Sequence, residues 1–127
     1  MYYYKKTVDI PHAIVMGKIK DSLAMGGFGI LTEINVKETL KKKLNVDGED
    51  YVILGACNPS MAHKALQAEQ NLGVMLPCNV VVYAKGGKTT IAAIRPTVQM
   101  AKIGNKKLEP IAKEVEKMLR SAVDRVA

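Results

Sequence analysis

The stretch GACNPSMAHKAL, at positions 55–66, marks the place where a strand ends and a helix begins. Asn58 is a favoured helix N-cap residue, and Pro59 suits the first helical position because the N–H that proline lacks would be unpaired there anyway. Gly55 allows the end of the preceding strand to approach another chain segment closely. The stretch also carries Cys57, so it predicts where a thiol or metal site could lie.

The sequence on either side of this stretch alternates between strand and helix signals. Apolar alternation and β-rich composition predict strands at 2–8, 28–36, 51–57, 78–84 and 88–94, and capped apolar stripes predict helices at 10–25, 36–44, 59–72 and from 105 onward. The predicted order is therefore β-α-β-(α)-β-α-β-β-α. Two β-α-β units joined through a short helix favour the α+β class, with a ferredoxin-like, split β-α-β sheet and a C-terminal helix.

Both faces of the predicted sheet should be covered, because YVIL at 51–54 and VVVY at 80–83 are apolar throughout. We expect the first and third helices to cover one face and the C-terminal helix to cover part of the other. The apolar surface that remains predicts a symmetric homodimer, since a second copy is the simplest cover. Two alternatives are that the C-terminal helix with segment 97–104 suffices, or that this face is a ligand pocket.

The composition is typical of a single domain spanning positions 1–127, with 48% hydrophobic and 24% charged residues. Lys5 and Lys6 come before any apolar stretch, so no signal peptide is expected. No segment approaches the ~20 apolar residues of a membrane span, so no membrane partner is expected. Two cysteines without a secretion signal indicate free thiols and a cytoplasmic location.

The formal net charge of +7 raises the question of nucleic-acid binding. The lysines are dispersed along the chain, as in Lys41, Lys42 and Lys43 on one short helix. The sequence shows neither a dense basic stripe nor aromatic platforms, which nucleic-acid surfaces usually have. Nucleic acid is therefore not expected as the main partner, and weak binding of nucleic acid or another acidic partner is kept as an alternative function.

Four side chains could bind a soft metal, namely Cys57, Cys78, His12 and His63. No pair of them has zinc-finger spacing. His12 lies on an apolar helix stripe and should be partly buried and hydrogen-bonded, whereas His63 should face water. If the third and fourth strands were parallel, Cys57 and Cys78 would lie about one strand length apart (~17–20 Å), too far for a disulfide. No four-ligand zinc site is therefore predicted from these residues.

Three segments resemble a known family: GFGILTEINVKETLKKKL, YVILGACNPSMAHKALQAEQNLGVMLPCNVVVY and NKKLEPIAKEVEKMLRSA. The specific part is GACNP at 55–59 with LPCNVVV at 76–82, and the family is called domain of unknown function 302. The resemblance covers nearly the whole chain and implies a small bacterial or archaeal α+β domain with no established activity, substrate or cofactor. Arg95 stands before Pro96, where the resemblance leads us to expect an acidic residue, so no role of that acid is carried over.

These observations favour a binding module for a small ligand, an anion or a soft metal. The candidate ligand-binding residues are Cys57, Asn58, Pro59, Cys78 and Asn79. Cys57 comes just before a helix N-terminus, where the positive end of the helix dipole favours a thiolate. The alternative from a different class is therefore a thiol-dependent enzyme with Cys57 as its nucleophile. The sequence points to no particular cofactor.

Overall fold

The computed structural model describes residues 1–126, which form a five-stranded sheet with helices packed against it. In chain order the elements are β1 (Tyr3–Val8), α1 (His12–Met25), β2 (Gly29–Asn35), α2 (Val36–Leu44), β3 (Tyr51–Cys57), α3 (Pro59–Ala68), β4 (Cys78–Lys85), β5 (Lys88–Ile94), α4 (Pro96–Gln99) and α5 (Leu108–Asp124). Short 3-10 turns at Gln70–Met75 and Ala101–Ile103 follow α3 and α4. The predicted α+β class and the order of strands and helices are confirmed.

The strand order in the sheet is β1-β5-β4-β3-β2, and every neighbouring pair is antiparallel. β1 and β2 therefore run in the same direction at opposite edges of the sheet. The first predicted β-α-β unit is thus present, with β5, β4 and β3 inserted between its two strands. The second does not exist, because the chain turns back after α3 through Gln70–Met75 and re-enters the sheet beside the end of β3. The parallel direction expected for the third and fourth strands is wrong, and the sheet lacks the two β-α-β units of a ferredoxin-like arrangement.

The three long helices, α1, α3 and α5, lie on the same face of the sheet. The core beneath them contains the fully buried side chains of Ile19, Leu54, Val80, Ile91 and Leu119. α5 contacts α1, α3, β1 and β5, which places it beside the other helices over the same strands. The expectation that the C-terminal helix covers the opposite face is therefore wrong, and none of the long helices covers that face.

Helices α2 and α3 begin where the sequence signals predicted, whereas α1 begins at His12 and α5 at Leu108, two and three residues later than predicted. Asn35 and Asn58 each accept a hydrogen bond from the backbone N–H three residues later, at Glu38 (3.1 Å) and Met61 (3.2 Å). Pro59 occupies the first position of α3. Within the described part of the chain, no helix combines the length and the apolar character that crossing a membrane requires.

A buried carboxylate connects α5 with the segment that follows β5. The side chain of Glu116 accepts hydrogen bonds from the hydroxyl and the N–H (3.1 Å) of Thr97 and from Nε of Arg95 (3.2 Å). Burial alone would raise the pKa of Glu116, but the hydrogen bonds from Thr97 and the charge of Arg95 hold that pKa below its ordinary value. Arg95 also donates a hydrogen bond to the carbonyl oxygen of Met1 (3.0 Å). Arg95 therefore connects Met1, near the start of β1, with Glu116 on α5.

Gly55 is a position at which the sheet leaves no room for a side chain. A Cβ atom there would collide with Oγ1 of Thr32 and lie 2.7 Å from Cγ of Pro77. We expect Gly55→Ala to lower the free energy of unfolding by about 1–3 kcal/mol, the usual cost of overpacking, as measured by urea denaturation. The control is Gly48→Ala, because no atom lies within 4 Å of the added Cβ. Equal effects of the two substitutions would contradict this explanation of Gly55.

Candidate functional site

The strand pairing brings the two cysteines to the same end of the sheet. Ala56 of β3 is paired with Cys78 of β4, so Cys57 lies one residue beyond the partner of Cys78. Cys57 is half-buried, Cys78 is buried, and both are free thiols. The separation of one strand length expected between the cysteines is therefore wrong, because an antiparallel strand starts at the end where its partner finishes.

Both cysteines border a small apolar cavity at this end of the sheet, which we call the cysteine end. Its volume is about 30 Å³, which exceeds the ~10–15 Å³ that a single water molecule needs. Apart from Asn58, the other lining side chains are apolar and include Phe28, Met61, Leu76, Pro77, Ile111 and Val115. Burial raises the pKa of the Cys78 thiol to about 11, and the nearby Cys57 acts in the same direction. Cys78 is therefore a neutral thiol at neutral pH.

The other predicted ligand-binding residues lie in different places. Asn58 borders the cavity, but its side-chain oxygen accepts the hydrogen bond that caps α3. Pro59 is exposed at the start of that helix. Asn79 does not border the cavity, because side chains alternate along β4 and Asn79 points to the face opposite that of Cys78.

The four possible soft-metal ligands do not come together as a set. His12 is largely buried, with Nε2 3.0 Å from the carbonyl oxygen of Val82 and Nδ1 3.9 Å from a carboxylate oxygen of Asp50. His63 is exposed on α3. Within residues 1–126, no three His, Cys, Asp or Glu side chains are grouped so that they could hold a metal ion. Of the four candidates, only the two cysteines share a cavity.

A second candidate site, which the sequence reasoning missed, is a groove of about 390 Å³ on the opposite side of the sheet. We call the side that the three long helices leave uncovered the open face. Four of the five tyrosines of the chain line the groove, namely Tyr2, Tyr3, Tyr51 and Tyr83. The sequence alone shows no such aromatic cluster, and the fold creates it by bringing these four rings to one groove. Alternation could have placed Tyr3, Tyr51 and Tyr83 on one side of their own strands, whereas Tyr2 precedes β1, and only the strand order shows that the rings share a face.

The tyrosines form two pairs around an apolar floor. Tyr51 and Tyr83 are cross-strand partners whose rings stack with their centroids 5.4 Å apart and an interplanar angle of 10°. Tyr2 and Tyr3 pack edge to face, with their centroids 5.0 Å apart. Val81 lies on the floor, two residues from Tyr83, and Ala92 is its partner on β5. This arrangement provides flat aromatic surfaces around an apolar depression.

The fold and these two sites define a two-layer α+β protein, with one sheet face under helices and the other open. The chain belongs to the family described as Domain of unknown function DUF302, whose profile matches residues 4–126. It is similar to a crystal structure of an uncharacterized conserved DUF302 protein from Bacillus stearothermophilus, at 33% identity and a TM-score of 0.94 over 100% of this chain and 99% of that one. A comparison with curated proteins gives no match. The family resemblance seen in the sequence is confirmed.

The raised pKa of Cys78 should make the protein less stable at alkaline pH. The pKa of this thiol rises from 9.0 to about 11 on folding, so between these values the unfolded state holds fewer protons and stability falls as pH rises. We expect the free energy of unfolding to drop over this range by up to roughly 2 kcal/mol more in the wild type than in Cys78→Ala. Urea denaturation at a series of pH values measures this difference. Lysines and tyrosines titrate in both proteins, so identical pH profiles would contradict the assignment to Cys78.

Proposed function

We propose that the protein is a binding module that takes up a soft, thiophilic metal ion at the cysteine end. The observation that supports this is the antiparallel pairing of β3 with β4, which puts Cys57 and Cys78 on one cavity. Thiolates are the preferred ligands of soft cations such as Cu(I), and such d¹⁰ ions accept two sulfur ligands in a linear arrangement. A cavity of about 30 Å³ suits a single ion better than a small organic ligand.

The chemistry of the cavity favours this ion over the other ligands and activities considered. An anion would need a cationic side chain or free backbone N–H groups at the start of α3. The side chains lining the cavity are apolar apart from Asn58 and the two thiols, and the side chain of Asn58 already accepts the N–H of Met61. An enzyme with Cys57 as nucleophile would need a base beside the thiol, and no His, Asp or Glu of the described chain lines the cavity. The proposed activity is therefore binding and not catalysis.

The predicted site residues have different parts in this proposal. Cys57 supplies the accessible sulfur ligand and Cys78 the buried one. Because the pKa of Cys78 is about 11, the ion must displace its proton, and affinity should rise with pH. Asn58 and Pro59 contribute by starting α3 next to Cys57. The cytoplasmic location, where thiols stay reduced, stays a prediction.

Anaerobic titration with Cu(I), in competition with a chromophoric chelator, tests the proposal. We expect the wild type to bind one equivalent per chain, with an affinity that increases as the pH is raised. Cys57→Ser and Cys78→Ser should each bind at least about tenfold more weakly, because each lacks one of the two sulfur ligands.

The matched control is His63→Gln, which changes an exposed residue of α3 outside the cavity and should leave the affinity unchanged. Binding of Cu(I) that survives in both serine variants would contradict the proposal. So would a wild-type protein that cannot compete with the chelator at all.

We also propose that the protein forms a homodimer, through the β2 edge and α2. β2 is an edge strand with no lysine in GILTEIN, whereas β1 at the other edge carries Lys5 and Lys6, which discourage pairing. Leu31 of β2 is 66% exposed, and Leu40 and Leu44 of α2 are 40% and 67% exposed. A second copy paired along β2 about a two-fold axis would cover these apolar side chains and extend the sheet.

Light scattering at micromolar protein concentration tests the dimer. We expect about twice the 13.8 kDa mass of one chain. Leu31→Lys should give monomers, because it places like charges on both sides of a two-fold interface. Leu66→Lys changes a leucine on α3 that is 39% exposed and should leave the mass unchanged. A wild-type mass of one chain would rule the dimer out.

A further inference from the structure

The groove on the open face has the size and the lining of a site for a flat molecule. Its volume of about 390 Å³ is within the ~300–1,000 Å³ typical of ligand pockets. Tyr51 and Tyr83 lie at one end of the groove, on one side of Val81. Tyr2 and Tyr3 lie at the other end of the groove. Aromatic side chains bind other rings through stacked or edge-to-face contacts, so the groove favours a planar ring system.

The polar groups of the groove are few, and one of them is cationic. Lys5 on β1 lies directly across from Ala92 on β5, and Asn79 lies two residues from Val81 on β4. None of the described residues that line the groove carries a carboxylate. The ion pairs within residues 1–126 involve other basic side chains, so the ammonium group of Lys5 has no anionic partner there. With a net charge of +7 on the whole chain, this groove attracts anions.

A second copy of the chain is a poor occupant of this groove. In a two-fold interface the same residues approach each other from both sides. Each Lys5 would then be buried against a groove lining that offers no carboxylate, and a buried charge without a partner is strongly unfavourable. An anionic ligand supplies the partner that a second copy lacks.

We propose that the groove on the open face binds a small planar aromatic anion. The ring system packs over Val81 and Ala92 and against the tyrosine pairs, and its acidic group accepts hydrogen bonds from the Lys5 ammonium and the Asn79 amide. The groove and the cysteine end lie on opposite faces of the sheet. The failure of one proposal therefore leaves the other standing.

Two fluorescent probes of similar shape test this proposal, the anionic anilinonaphthalene sulfonate and the neutral N-phenylnaphthylamine. We expect the sulfonate to bind saturably at one site per chain and more tightly than the neutral probe. Lys5→Gln should weaken sulfonate binding about tenfold, the effect of one hydrogen bond to a charged group, and leave the neutral probe unaffected. Lys88→Gln is the matched control, because this lysine lies outside the groove at the start of β5.

Tyrosine NMR locates the probe without any substitution. The ring signals of Tyr2, Tyr3, Tyr51 and Tyr83 should shift as the sulfonate is added. The signals of Tyr4 should stay in place, because its hydroxyl bonds to α5 on the helix-covered face.

Three outcomes would overturn the proposal. The first is that the sulfonate binds outside the groove, seen either as equal affinity in the wild type and Lys5→Gln or as ring shifts confined to Tyr4. The second is sulfonate binding that is lost as the protein self-associates, which would assign the open face to a second copy. The third is displacement of the sulfonate by much lower concentrations of a single-stranded oligonucleotide, which would assign the face to nucleic acid.

Discussion

The antiparallel pairing of β3 with β4 is the constraint on which both candidate sites depend. Its register sets Ala56 opposite Cys78, which places the cysteines at one end of the sheet and on a buried cavity. The same register sets Tyr51 opposite Tyr83 at the other end and on the other face. A slip of one residue would turn every side chain of a strand to the opposite face. Gly55 lies within this pairing, opposite Asn79, in a place where a larger residue has no room.

The order of the elements could be predicted because its signals are local. The cap formed by Asn58 and the alternation within 51–57 and 78–84 each act over a few residues. The direction of β4 has no such signal, because the same connection of helix and turn permits a parallel crossover or an antiparallel return. The position of α5 is equally undetermined, since one apolar stripe fits either face. Tertiary contacts decide it, such as the hydrogen bond from Ser22 to the carbonyl of Ala122.

The candidate sites were predictable to different degrees for the same reason. Cys57 and Asn58 are neighbours in sequence, so one end of the cavity could be found by inspection. That Cys78 lies close to Cys57 could be predicted only with the direction of β4. That Glu116 is buried could be predicted only with the position of Thr97, whose N–H it accepts. The tyrosine groove was the hardest to find, because its rings come from three strands and the segment before the first.

Because helices cover only one face of the sheet, the strand residues fall into two sets, which face the core and the open face respectively. Inward positions such as Leu54, Val80 and Ile91 are fully buried beneath the helices and contribute to the stability of the fold. Outward positions such as Val81 and Ala92 are their immediate neighbours in sequence, yet they touch little of the core. Substitutions at outward positions can therefore change the surface of the open face with little effect on the core. The Bacillus stearothermophilus structure keeps this backbone at a TM-score of 0.94 with 33% identity, so two thirds of the positions can differ within one frame.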